Sequence, residues 1–382
     1  MFASRFVESS TKKIRERAEG KRVLVALSGG VDSAVTATLV KRAVGKGLLA
    51  IFLDTGFMRA NEPEETKGEM RRAGVDLEII DAGDRFMDAL RGLSDAEEKR
   101  IIFRKTFYDV FGEEAGRRDC DLLAQGTIAP DWIETKGGIK TQHNILGQVG
   151  INTKKRFGFE VLEPIAYLYK DQVREVGRYL GLPHSVFTRQ PFPGPGLLVR
   201  CIGEVKKDKL EALKKATTII EKGIGKGEAQ QYFGAVFEDK CKKNAGATEE
   251  ARKLLKDETV DVVIFNSKAT GVKGDLRAYG NIAALLTKKR HPIGRLAKVQ
   301  LDVINRHPSI ARVLTLVSRR GKGKYCVAIR AVTTRDFMTA KVAPLAWKKL
   351  EKMAAEILRK CPSVSSIYYD VTPKPPATIE FE

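Results

Sequence analysis

Six consecutive residues, Ser28-Gly29-Gly30-Val31-Asp32-Ser33, combine the groups that a polyphosphate needs. Two glycines let the backbone turn tightly and approach a ligand closely, and the hydroxyls of Ser28 and Ser33 add donors. The Asp32 carboxylate would repel phosphate directly, but it suits a Mg²⁺ ion bridging phosphates. Such a loop works only if its amides converge, which requires a strand before it and a helix after it. Arg22–Leu27 is a short apolar run, and Asp32–Val44 repeats apolar residues at helical spacing. The helix start then turns its unbonded amides and the positive end of its dipole toward the ligand. The string lacks the lysine of GxxxxGK(S/T), so it is not the loop of the P-loop NTPases. The plainer alternative, a strand-to-helix turn capped by Ser or Asp, is disfavoured by the full six-residue string following a strand.

The elements that must hold this loop alternate along the first half of the chain. Strands are expected at Arg22–Leu27, Leu48–Leu53, Val75–Asp81 and Asp121–Gln125, and helices at Asp32–Val44, Pro63–Ala73, Asp84–Leu90, Asp95–Gly116 and Asp171–Leu180. Buried apolar strands alternating with helices predict a parallel sheet covered on both faces. Ligands then bind beyond the carboxyl ends of the strands, at Ser28–Val31, Asp54–Phe57 and Gly126–Asp131. Gly126–Lys155 has little periodicity and reads as a loop. The Pro191–Gly196 break (PFPGPG) marks a boundary, predicting domains 1–190 and 191–382. The second domain is expected to be a smaller α/β unit with helices at Asp208–Lys222 and Trp347–Lys360. Its strands are expected at Val260–Phe265, Tyr325–Thr333 and Val364–Val371.

Composition sets the outer limits. The chain has 382 residues and a formal charge of +20, with the hydrophobic and charged fractions of a globular protein. Its apolar runs are strand-sized, the first thirty residues carry no signal-peptide pattern, and five scattered cysteines form no CxxC pair. These features argue against a membrane span, a disulfide framework or a zinc finger, and they predict a cytoplasmic protein. The charge favours anionic partners. Half of it lies in one stretch, Asn281–Lys324, with eleven Lys or Arg against Asp302 alone. A solvated extension is the expected reading of that stretch, ahead of an RNA-binding or partner-docking face, and its apolar spacing predicts a helix followed by a strand.

SGGVDS is the signature shared by the ATP pyrophosphatases, which split ATP between its α- and β-phosphates and adenylate an oxygen of a second substrate. Further strings narrow the choice: Gly83-Asp84-Arg85-Phe86, Leu123–Glu134 (LAQGTIAPDWIE), Leu168–Val173 (LYKDQV), Arg189–Leu197 (RQPFPGPGL), Thr270–Asp275 (TGVKGD), Asp336–Ala340 (DFMTA) and Lys374–Glu382 (KPPATIEFE). In this order they closely resemble the synthetase part of GMP synthase. The resemblance implies an α/β ATP-pyrophosphatase domain followed by a dimerisation domain that completes the XMP site. It also implies a two-step reaction: Mg·ATP adenylates the C2 oxygen of XMP with loss of pyrophosphate, and ammonia then displaces AMP. It assigns catalysis to Asp32 and Lys170, with Asp32 also holding the metal. ATP binding falls to Ser28, Gly29, Gly30, Val31, Asp32, Ser33, Ala34, Asp54 and Gly126. XMP binding falls to Arg100, Pro193, Gly194, Lys374, Ile379 and Glu380, with Arg330 as a further candidate reaching a phosphate across a subunit interface.

Two departures qualify the pattern. The glutaminase domain of the family would need about 200 residues and a Cys nucleophile, yet SGGVDS begins at residue 28. The chain is therefore expected to use free ammonia or to accept it from a separate glutamine amidotransferase subunit. The family's Lys-Ser-His-His-Asn lid reads Lys140-Thr141-Gln142-His143-Asn144 here, so Lys140 and His143 are the expected lid residues. A tRNA-modifying pyrophosphatase shares SGGVDS, but such enzymes commonly rely on paired or catalytic cysteines. A non-catalytic nucleotide- or RNA-binding module would be expected to carry damage in SGGVDS or at Lys170, and both are intact.

Overall fold

The structure, a computed structural model, describes residues 1–129, 159–225, 227–273, 276–334 and 338–382. It contains two compact units, Met1–Ala89 with Phe103–Gly194, and Leu90–Ile102 with Pro195–Glu382. The division differs from a single cut after residue 190. The PFPG turn stays with unit 1, and the segment 90–102 joins unit 2, which is therefore not the smaller of the two.

Unit 1 is a five-stranded parallel sheet. Its strands are β1 (Val23–Leu27), β2 (Leu48–Asp54), β3 (Leu77–Asp81), β4 (Leu122–Ala124) and β5 (Glu160–Leu162), in the order β3-β2-β1-β4-β5. Helices α1 (Phe2–Arg17), α2 (Val31–Val44), α3 (Glu62–Arg72), α4 (Gly83–Ala89), α5 (Ala96–Arg117, entering from unit 2), α6 (Lys170–Tyr179) and α7 (His184–Thr188) complete it. The apolar runs become largely buried strands: Val23, Leu24, Val25, Ile51 and Phe52 have no exposed surface. The order reverses at β1, whose two neighbours β2 and β4 lead away on opposite sides. That switch point opens a crevice where the loop after β1 and the loop after β4 meet. Helix α1 has no counterpart in the sequence reading. Its buried face is Ala3, Val7, Ser10, Thr11 and Ile14, too small and too polar to stand out as an apolar stripe.

Unit 2 is built on a mixed sheet in the order β12-β11-β13-β10-β9-β8-β7, with β6 paired to β11. The elements are α8 (Lys207–Gly223), β6 (Gln231–Glu238), β7 (Cys241–Lys243), α9 (Ala245–Leu255), β8 (Asp261–Lys273), β9 (Leu276–Leu286), α10 (Ile293–Arg306), β10 (Ile310–Arg319), β11 (Tyr325–Thr333), β12 (Lys341–Val342), α11 (Trp347–Lys360) and β13 (Val364–Asp370). The basic stretch 281–324 is not an added segment. It supplies most of β9, all of α10 and all of β10, and Ile282, Ala283, Ala284, Leu285, Val313 and Leu314 are fully buried in this sheet.

Its arginines are largely structural. Arg290 stacks 4.7 Å from Trp347 and donates to the Leu316 and Val317 carbonyls. Arg295 donates to the Leu254 and Leu255 carbonyls at the end of α9. Arg320 gathers the Leu358, Pro362 and Val364 carbonyls just past α11, where a cation meets the negative end of a helix dipole. Among the described residues no helix is long and apolar enough to cross a membrane.

Candidate functional site

The phosphate loop occupies the turn between β1 and α2. Gly29 takes a left-handed conformation, φ +76°, which glycine adopts without strain. The Ser33 hydroxyl sits inside the turn, accepting the Ser28 N–H at 3.2 Å and donating to the Gly30 carbonyl at 3.0 Å. Val31 and Ala34 pack their side chains into the core, so these positions offer the ligand their backbone. The first amides of α2 have no intrahelical carbonyl to bind, and the dipole adds positive potential at the same place.

Asp32 stands on the first turn of α2. Its Oδ2 accepts from Lys170 Nζ at 2.6 Å, while its Oδ1 is buried with no hydrogen-bond partner among the described residues. An orphaned carboxylate oxygen beside a phosphate loop fits a hard divalent cation such as Mg²⁺. No group of three or more metal-ligating side chains exists among the described residues. Among the described residues Asp32 offers this carboxylate oxygen, and nucleotide phosphates would supply further oxygens. Lys170 is the first residue of α6, where the helix dipole disfavours a cation. Its placement there serves the carboxylate and the loop rather than the helix. The Lys170 side chain keeps 44% of its surface exposed.

Gly126 closes the crevice from the β4 side. A Cβ on it would lie 2.9 Å from the backbone of Asp32 and Ser33, so a methyl group there displaces the loop. Gly126→Ala is expected to lower ATP-dependent turnover by up to about 100-fold, as sub-ångström misplacement of reacting groups does, with an unchanged far-ultraviolet spectrum. Pyrophosphate release measures it, and wild-type turnover would show that the contact does not constrain the loop. Asp54, at the carboxyl end of β2, accepts the Gly56 N–H at 2.8 Å and so holds a turn. The expected lid residues Lys140 and His143 lie outside the described residues.

Within unit 2 the expected XMP residues fall into two groups. Arg100 donates to Glu97 at 3.0 Å, and Glu97 also accepts from Arg277 at 2.9 Å and from the Tyr279 hydroxyl at 2.5 Å. Two guanidiniums thus meet at the Glu97 carboxylate. Burial, followed by the like charge of Arg277, lowers the pKa of Arg100.

The second group is the strip Thr378–Glu382, held by buried cations. Arg200 binds the Glu380 carboxylate through Nε and Nη2 at 2.8 and 2.9 Å. Arg312 donates to the carbonyls of Thr378 and Glu380 and lies 4.0 Å from the Phe381 ring. Lys99 pairs with Glu382 and donates to the Cys201 and Gly203 carbonyls. Burial pushes the Glu382 carboxyl up, with Lys99 opposing.

Arg330, expected to reach a phosphate, is instead completely buried. It donates to Asp370 and Thr372 O at 2.8 Å and to Thr378 O and Ile379 O at 2.9 Å. A side chain aimed inward from a central strand meets the protein's own carbonyls, and sequence alone does not show which face of β11 carries it. Lys374 pairs through its backbone with Ala340, Ile379 is partly buried against the unit 2 core, and the Pro193–Gly194 turn ends unit 1. Sequence reasoning missed Lys99, Arg200, Arg277, Tyr279 and Arg312. An isolated Lys or Arg carries no signal until the fold gives it a partner.

Comparison with known proteins adds independent weight. A family model described as NAD synthase matches residues 3–101, and one described as GMP synthase C terminal domain matches residues 318–381. The B subunit of the glutamine-hydrolyzing GMP synthase of Sulfurisphaera tokodaii is 44% identical over 379 residues, covering 99% of this chain and 98% of the relative. Its counterpart of the same name from Archaeoglobus fulgidus is 37% identical over 382 residues and 100% of both chains. Among solved structures, an NH3-dependent NAD synthetase from Campylobacter jejuni gives a TM-score of 0.37 at 17% identity, covering 57% of this chain and 84% of that one, a likeness too low to carry a conclusion.

Proposed function

The chain belongs to the family formed by the B subunits of glutamine-hydrolyzing GMP synthase, and from that premise we propose that it is the ATP-pyrophosphatase subunit that converts XMP to GMP. The observation that carries the reading is the Lys170–Asp32 pair at the mouth of the phosphate loop, with one Asp32 oxygen left over. Unit 1 binds ATP: the loop amides, that of Ser33 among them, and the Ser28 hydroxyl hold the phosphates, the Ser33 hydroxyl braces the turn, and Asp54 and Gly126 border the nucleotide. Asp32 would hold Mg²⁺, which supplies charge neutralisation on the phosphates. Lys170 moves from Asp32 to the departing pyrophosphate and stabilises charge that develops only in the transition state.

XMP falls to other groups. The cation pair Arg100 and Arg277, with the Tyr279 hydroxyl, provides donors for its monophosphate, and Lys374, Ile379 and Glu380 of the same unit complete its recognition. Arg330 holds the strip that carries Ile379 and Glu380. Ammonia comes from a separate glutaminase subunit, as relatives that form one subunit of a glutamine-hydrolyzing enzyme imply, and the chain pairs with a second copy through unit 2. It works in the reducing cytosol, where its five free thiols stay unpaired.

The test is XMP-dependent pyrophosphate release and GMP formation with ammonium as the nitrogen donor. Both should proceed with this chain alone, and glutamine should support them only after the glutaminase subunit is added. Absence of GMP with ammonium overturns the activity, and glutamine turnover by the purified chain overturns the separate-subunit reading.

A further inference from the structure

Arg189 stands just ahead of the Pro-rich break and has no part in the site derived above. Its guanidinium reaches back to the phosphate loop. Nη1 donates to the Gly29 carbonyl at 3.0 Å and to the Thr66 hydroxyl at 3.3 Å, and Nη2 donates to Glu69 at 3.0 Å. Glu62 and Glu65 lie 3.8 Å away. Glu62, Thr66 and Glu69 are buried on one face of α3, spaced so that their side chains align. The guanidinium is itself mostly enclosed and charge-balanced by this face, so it is a fixed element rather than a mobile surface group.

The contact explains the first glycine of the loop twice over. Gly29 has a positive φ, and a Cβ on it would come within 2.8 Å of Arg189 Nη1. The loop packs this tightly against the guanidinium only because no side chain intervenes.

We propose that Arg189 is a positioning residue for the phosphate loop, acting through the Gly29–Gly30 peptide. A trans peptide is planar, with its carbonyl and its N–H pointing in opposite directions. An anion needs the N–H presented and the carbonyl held away. Arg189 captures the Gly29 carbonyl, which fixes the Gly30 N–H on the opposite face. Without the guanidinium that peptide can rotate, and a carbonyl facing the phosphates opposes binding. Glu62 also accepts from Arg59 Nη1 at 3.2 Å, and the Arg59 guanidinium lies 4.1 Å from the Phe192 ring. The stretch from Arg189 to Phe192 is therefore anchored toward α3 at both ends. The same anchoring that orients the ATP loop sets the start of the Pro193–Gly194 turn.

This inference rests on the proposed function only in taking ATP as the ligand of the loop. Its test uses calorimetric titration of the full chain with ATP and Mg²⁺, without XMP, ammonia or turnover. Arg189→Ala is expected to weaken ATP binding at least about tenfold, and added methylguanidinium to restore part of the affinity. Arg189→Lys keeps the charge but loses the two-pronged geometry, and is expected to bind ATP several-fold more weakly than wild type. If Arg189→Ala does not fold, Arg189→Lys decides alone. Folded variants that melt earlier yet bind ATP with wild-type affinity overturn the proposal and leave a structural ion pair. A wild-type chain that binds no ATP overturns the functional reading, and the clamp with it.

Discussion

Asp32→Ala is expected to lower XMP-dependent pyrophosphate release by about 1,000-fold or more, as loss of a group that stabilises transition-state charge does. Three effects combine. The loop loses the Asp32 carboxylate and with it the expected metal ligand. Lys170 loses the carboxylate oxygen that accepts its ammonium at 2.6 Å on the first turn of α2. The freed ammonium then adds positive charge to the resting site and attracts ATP already in the ground state, so ground-state affinity should fall less than turnover. The fold should survive, because Asp32 is partly exposed and packs no core. Asp32→Asn separates charge from shape: it keeps the size and a hydrogen-bonding oxygen, and is expected to be nearly as inactive. Pyrophosphate release alongside a melting curve measures the effect. Turnover within tenfold of wild type in a folded Asp32→Ala protein would remove Asp32 from the mechanism.

Asp370→Ala should give the largest loss of stability. Asp370 Oδ2 accepts from Arg312 and Arg330 at 2.8 Å each, and all three side chains are fully buried. Burial, together with the neighbouring Arg330 charge, already pushes the Arg312 pKa down to about 10. Removing the carboxylate leaves two buried like charges side by side without the carboxylate they share, a change that costs about 3–5 kcal/mol. For a unit of this size that is a fall of about 6–20 °C in Tm. The same arginines carry the strip Thr378–Glu380, so protein that remains folded should also show a raised KM for XMP. ATP binding, which belongs to unit 1, should be unaffected when measured at a temperature where the variant is folded. A Tm within 2 °C of wild type, about 1 kcal/mol or less, would mean that water or rearrangement neutralises the pair.

Much of unit 1 was legible in the sequence because its signals are local. Apolar strands buried on both faces leave continuous runs such as Val23–Leu27, and amphipathic helices leave a period. The expected helix over Asp171–Leu180 and the observed α6 differ by one residue at each end. Unit 2 was less legible for the same physical reason. Its sheet is mixed, its long β8–β9 hairpin carries polar residues such as Asn266, Lys268 and Asn281, and its order brings β10 between β9 and β13. No run of neighbouring residues records that arrangement.

The basic stretch shows the difference most clearly. Charge density read along the chain suggested an exposed face. Arg312 is buried on a central strand instead, and Arg290, Arg295 and Arg320 bind backbone carbonyls. Long aliphatic stems let arginine cross several ångströms of apolar surface to such partners, and composition does not record where the stem leads.

The sequence by itself determined which chemistry this chain can perform. A phosphate loop needs glycine, hydroxyl and carboxylate in one contiguous string, and contiguity survives in one dimension. The tertiary structure decided how those groups are oriented: Lys170 on Asp32 across 138 positions, Gly126 against the loop, and Arg189 on the Gly29 carbonyl across 160. Each of these is a contact between residues far apart in the chain, where geometry at the level of tenths of an ångström comes from packing and leaves no mark on neighbouring residue types.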